Sequence, residues 1–211
     1  MLTTSLFIPL FQGLFLGASM ILPLGAQNSH ILRQGLMRNH HFSAATICML
    51  CDVMLIGIGV FGGAALLATS PVLLTLITWA GIVFLLVYGG LSCRSAWQNN
   101  YQHSQANNQD SLTQTRFLVI STTLAVTLLN PHVYLDTVVI LGSVGGQFDG
   151  TEKIAFAFGT MLASIIWFYS LAAAAAKLSP WLSQPKIRQI IDILVAIVMF
   201  LIALSLFKTL Y

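Results

Sequence analysis

The chain has 211 residues, of which 57% are apolar and only 7% charged, with a mean hydropathy of +0.86 and a formal net charge of +3. Soluble globules carry about a quarter charged residues, so this composition excludes a soluble enzyme or binding module and implies a chain whose solvent is lipid. The few cations are too scattered for a nucleic-acid surface.

Six windows are long enough to cross a bilayer core, which takes about 20 apolar residues: 6–29, 43–68, 72–93, 117–141, 154–177 and 189–208. The first has no Lys or Arg ahead of its apolar run and no clear small-residue cleavage site after it, so an uncleaved span is expected and not a signal peptide. It is interrupted by "PLG" at 23–25, which leaves a re-entrant first segment open as an alternative. Gly13 and Gly17 form a G-x-x-x-G in this window, and Gly57, Gly59, Gly62 and Gly63 crowd the second, so close helix packing is expected and a homodimer is a candidate assembly. Cys48 and Cys51 form a C-x-x-C in the second window, and Cys93 ends the third. No βαβ pattern or second ligand pair accompanies them, so all three are expected to be small buried side chains, with no metal or cofactor.

A Gln/Asn-rich connector from Arg94 to Arg116 divides the chain near its middle. The expected organisation is a single membrane domain over 1–211, with one repeat at about 6–93, a hydrated linker at 94–116 and a second repeat at about 117–208. Each half holds three windows, and an odd number reverses the sense of the second half, so the repeats are expected to be inverted. Arg33, Arg38, Arg94, Arg116, Lys177, Lys186 and Arg188 fall on one side of this topology and only Lys153 and Lys208 on the other. The basic side is expected to be cytoplasmic, which puts the C-terminus in the periplasm. His30, His40 and His41, in or beside the first basic loop, are expected at the interface.

Pro23 and Pro131 lie at corresponding depths of the first and fourth windows, within "MILPLGAQN" and "LLNPHVYLD". A proline removes a backbone donor and frees carbonyls that lipid cannot satisfy, so both windows should hold broken helices facing protein or water. Polar residues gather there: Gln27 and Asn28 beside the first break, and Asn130, His132 and Asp136 beside the second. Asp52 lies in the second window, and Asp52 and Asp136 are the only carboxylates within the first five. An intramembrane carboxylate costs about 2.5–3.5 kcal/mol at a helix centre and usually marks a pathway or a partner. Asp192, near the start of the sixth window, is expected to pair with Arg188 one turn earlier. His132 is expected either to relay protons or to bond the carbonyls freed by Pro131.

"MILPLGAQNSHILRQG", "CDVMLIGIGVFGG" and "LLNPHVYLDTVVILGSVGGQ" resemble the signature segments of the LysE-type amino-acid exporter family, most closely its arginine-exporter branch. The likeness runs from about residue 9 to 205, with one departure: Ala26 follows Gly25 where that branch usually has proline. The resemblance implies an inner-membrane exporter of basic amino acids, arginine foremost, with lysine and canavanine as further candidate substrates, and no enzyme. The residues agree, since two carboxylates without an interior cation select for positive charge, and a guanidinium suits a carboxylate in two-point contact. The α-carboxylate of such a substrate would need donors, for which the Asn28 and Asn130 amides and backbone N–H groups beside Pro23 and Pro131 are the candidates. Two alternatives remain: export of neutral amino acids of the threonine or homoserine type, and an intramembrane aspartyl protease, against which the missing Gly-x-Gly-Asp pattern counts.

Overall fold

The computed structural model describes residues 2–23, 25–63, 71–97, 115–182 and 185–209. Among these there are helices and no strands. They are α1 (Leu2–Ile21), α2 (Ala26–Leu36), α3 (His41–Ile58, continued by a π-helical Gly59–Gly63), α4 (Pro71–Trp97), α5 (Arg116–Leu128), α6 (Pro131–Gly145, with a π-helical Leu135–Ile140), α7 (Gly150–Leu182) and α8 (Pro185–Thr209). Four stretches, within α3, α4, α7 and α8, are long and apolar enough to cross a membrane alone. The pairs α1/α2 and α5/α6 qualify only together, bent by 77° and 62°. The expected all-α membrane architecture, with broken first and fourth spans, is therefore what the chain adopts. Residues 64–68 of the second window and 98–114 of the connector lie outside the described residues, and α4 carries helix one turn into the connector, to Trp97.

The breaks follow from local chemistry. α1 stops at Ile21 because Pro23 has no N–H to continue the ladder and pushes its predecessor away from helical angles. Gly25 is extended (φ −107°, ψ −170°) and α2 starts immediately after it. At the second break Asn130 is extended (φ −92°, ψ 106°), as a residue before proline prefers, and Pro131 takes the first helical position, where its missing donor costs nothing.

The two halves pack by one scheme. When α1 to α4 are exchanged for α5 to α8, α1 on α7 becomes α5 on α3, α2 on α7 becomes α6 on α3, and α2 on α8 becomes α6 on α4. All of these contacts are made, and α3·α7 and α4·α8 map onto themselves. With each bent pair counted as one crossing, three crossings per half reverse the second repeat relative to the first. Every principal apolar cluster mixes the halves: Ala26, Tyr88, Val126 and Met199 share one, and Ile31, Cys48, Val119 and Phe168 another. Large apolar side chains also cover the outside, among them Phe15, Met54, Val83, Phe117 and Leu201, as a lipid-facing surface requires.

The G-x-x-x-G of α1 is used inside the chain. A Cβ on Gly13 would meet the Phe156 carbonyl oxygen of α7 and one on Gly17 the backbone of Thr160, so the two helices touch backbone to backbone. Two expectations are corrected, those for His30 and Cys93. His30 is not interfacial but 1% exposed, because α2 runs on to Leu36 and carries it into the middle of the bundle. Asp192 has Arg33 across the bundle at 3.4 Å; the expected pairing with Arg188 falls on a side chain outside the described residues. Cys48 and Cys51 are buried free thiols, but Cys93 is exposed, since it falls on the outer face of α4.

Candidate functional site

A cavity of about 320 Å³ lies between the two breaks. Its wall includes Pro23, Gln27, Asn28, Asp52, Asn130, His132 and Asp136, so seven of the eight residues singled out from the sequence meet in one place. The eighth, Pro131, is buried in the first turn of α6 and does not reach the wall. The volume is at the lower end of the range of about 300–1,000 Å³ usual for small-molecule pockets. A larger groove of about 1010 Å³, lined by Phe7, Phe11, Phe15, Phe148 and their neighbours, has no titratable side chain on its wall among the described residues and opens among lipid-facing aromatics.

Side chains from the following helix secure each break. The Asn28 amide donates to the carbonyl oxygens of Ile21 (2.8 Å) and Pro23 (2.7 Å), which α1 leaves unpaired, and its own oxygen accepts from the Trp167 indole at 3.0 Å. At the second break Tyr134 donates its hydroxyl to the Leu128 carbonyl (2.8 Å) and the Asn130 oxygen accepts from the His132 backbone N–H (3.2 Å). The sequence left His132 open between a proton relay and a bond to a freed carbonyl; the Leu128 carbonyl is taken by Tyr134, two residues on. His132 sits one turn before Asp136 and lines the cavity with it.

Asp52 and Asp136 differ in their setting. Asp52 is 2% exposed and accepts from Ser164 on α7 at 2.9 Å; the Gln27 amide, which also donates to Thr127 at 3.2 Å, interacts with the same carboxyl. Asp136 lines the same cavity and is half-buried. Both carboxyls thus line one space, and among the described residues no lysine or arginine lines it. The N-termini of α2 and α6 also face this space, at Gly25–Gln27 and Asn130, and Gly25 offers no side chain to cap the α2 N–H groups. Cation-attracting and anion-attracting groups thus share one cavity.

Sequence reasoning missed Ser164 and Trp167. Both lie in a window whose polar residues are weak signals, since serine and tryptophan are ordinary in membrane helices. Spacing pointed to neither partner.

The profile of the LysE type translocator family matches residues 18–209. This chain belongs to the LysE family. Among relatives of this LysE-family protein, YggA of Aeromonas salmonicida is 53% identical over 95% of this chain and 96% of its own length. The arginine exporter protein ArgO of Salmonella schwarzengrund is 51% identical over 93% of this chain and 92% of its own, and ArgO of Pectobacterium carotovorum is 47% identical over 95% and 97%. No solved structure matches the chain. LysE membership and the apolar helices make it a multi-pass membrane translocator.

Proposed function

We propose that this protein exports basic amino acids, chiefly L-arginine, from the cytoplasm across the bacterial inner membrane, with the basic loops cytoplasmic and the C-terminus periplasmic. The observation that carries it is the pair Asp52 and Asp136 facing one cavity between two helix breaks, with no lysine or arginine on its wall among the described residues. The names of the ArgO relatives favour arginine. Asp52 and Asp136 hold the cationic groups of the substrate. The uncapped N–H groups at Gly25–Gln27 and the Asn130 amide receive its α-carboxylate. Asn28 contributes as the brace of the first break, since its amide protons already serve Ile21 and Pro23. Pro23 and Pro131 create the breaks, and Gln27 and His132 orient or tune the two carboxyls.

Moving a monovalent cation outward against an inside-negative potential costs about 2.3 kcal/mol per 100 mV. Proton exchange removes that cost: Asp52 or Asp136 gives its proton to the cytoplasm as the cation binds and is reprotonated from the periplasm after release, so one-for-one exchange moves no net charge. Self-association, where it occurs, has to use a face other than Gly13 and Gly17. Counterflow of labelled L-arginine in proteoliposomes tests the substrate, with unlabelled arginine, lysine, canavanine, threonine and homoserine as competitors. Competition by threonine or homoserine alone would replace this reading with neutral amino-acid export. Export unaffected by a pH gradient at clamped potential would remove the proton from the cycle.

A further inference from the structure

Arg33 and Asp192 lie outside the cavity described above. They join α2 of the first half to α8 of the second, Nε to Oδ1 at 3.4 Å, with side chains 16% and 4% exposed. Ser95 on α4 donates to the other Asp192 oxygen at 2.9 Å, and the Arg33 guanidinium carbon lies 6.0 Å from the centre of the Tyr88 ring. A buried carboxylate held by a hydroxyl, beside an aromatic ring, is the chemistry that recognises a guanidinium. Here that guanidinium belongs to the chain itself.

Between this group and the cavity lies a second layer. His30, about one turn from Arg33 toward the break, hydrogen-bonds the Tyr88 hydroxyl (3.0 Å) through Nδ1 and the Thr123 hydroxyl (3.1 Å) through Nε2. Thr123 spends its proton on the Val119 carbonyl, so Nε2 donates and Nδ1 accepts from Tyr88, which fixes the ring as one neutral tautomer. Along α2, Asn28 reaches the cavity, His30 the layer beneath it and Arg33 the basic-loop end. Along α2 the Arg33–Asp192 group therefore lies nearer the basic-loop end than the cavity does.

We propose that Asp192, Ser95 and Tyr88 form a second cation site, specific for guanidinium-type ligands, which Arg33 fills as a tethered ligand until the guanidinium of an incoming substrate displaces it; this rests on the cytoplasmic orientation and the arginine-class substrate proposed above. Arg33 then acts as a plug that opens for its chemical equivalent.

The test places a reporter cysteine at Thr137, on the cavity wall, in protein whose Cys48, Cys51 and Cys93 are replaced by alanine or serine, and follows its reaction with an impermeant thiol reagent added to everted membrane vesicles. Arg33→Ala should label several-fold faster than the parent. Millimolar methylguanidinium should return it toward the parent rate, and tetramethylammonium should not. Asp192→Asn should also label fast but gain nothing from methylguanidinium. Arg33→Gln, which keeps bulk without charge, repeats the test should the alanine variant not accumulate. Labelling of both Arg33 variants at the parent rate, or equal protection of the Arg33 and Asp192 variants by methylguanidinium, would overturn the site. No amino acid is present in this assay, so arginine counterflow by the parent protein reports separately on the substrate.

Discussion

The Trp167 indole of α7 donates to the Asn28 oxygen at 3.0 Å while the Asn28 amide donates to two carbonyls of the first break, so one side chain ties α7 to the interrupted span. Asn28→Asp keeps the shape but loses both donors and turns a carboxylate toward two carbonyl oxygens. A buried polar group left unpaired costs about 1–3 kcal/mol. Asn28→Asp should therefore lower the unfolding temperature of detergent-purified protein clearly. Trp167→Phe, which removes one hydrogen bond, should lower it less. The reverse order would mean that ring packing, and not the amide bridge, secures the break.

Ser164 bonds Asp52 from a different helix, and this contact predicts a transport defect without a folding defect. A hydrogen bond to a charged group contributes about 1.5–3 kcal/mol, and about 1.4 kcal/mol is tenfold in affinity. Ser164→Ala should raise the apparent Kd for arginine by about tenfold or more while membrane abundance stays at the parent level. Unchanged affinity would show that the serine only fills space.

How much of this was legible in the sequence depended on the kind of signal. Pro23 and Pro131 announced the breaks because proline acts through its own backbone, and Asp52 and Asp136 announced the cavity because lipid penalises a carboxylate wherever it is not served by protein or water. His30 was misplaced for the opposite reason. Polar residues near a loop read as interfacial unless it is known how far the following helix extends, and α2 extends to Leu36. The contact of Asp192 with Arg33 was not legible, because Arg33 comes from 159 positions earlier (192 − 33), a pairing that only the packing of α2 on α8 creates. The small residues of Gly13 and Gly17 signalled a close contact but not its partner, which proved to be α7.

Glycines on α4 allow a paired test of that packing. A Cβ on Gly81 would fall on the carbonyl oxygen of Leu129, immediately before the second break, whereas one on Gly90 meets nothing. Overpacking typically costs about 1–3 kcal/mol, while glycine to alanine in an open helix position gains about 0.5–1 kcal/mol. Gly81→Ala should lower thermal stability and Gly90→Ala should leave it level or raise it. Equal behaviour of the two would argue that the break tolerates displacement.

Orientation can be read with single cysteines at two exposed positions, Lys186 at the start of α8 and Asp149 before α7. In intact cells an impermeant thiol reagent should modify Asp149→Cys and spare Lys186→Cys, and in everted vesicles the pattern should reverse. Labelling of Lys186→Cys in intact cells would place the basic loops outside.

Asp52 and Asp136 separate a binding role from a structural one most sharply, because they share a cavity but not a setting. Asparagine is nearly isosteric with aspartate and cheaper to bury, so Asp52→Asn and Asp136→Asn should insert and fold while arginine transport falls to background. Asp→Glu keeps the charge but moves the carboxylate by about one methylene, and two-point contact with a guanidinium tolerates little displacement, so partial activity is expected. The glutamate should be tolerated better at position 136, where the side chain is half-buried, than at position 52, where it is 2% exposed and bonded to Ser164. On the proposed reading both carboxylates act on one substrate, so removing the second should add little to the loss caused by the first. The check is transport per unit of membrane-inserted protein: abundance falling in step with transport would make the aspartates structural, and normal transport by a well-expressed single variant would remove that residue from the site.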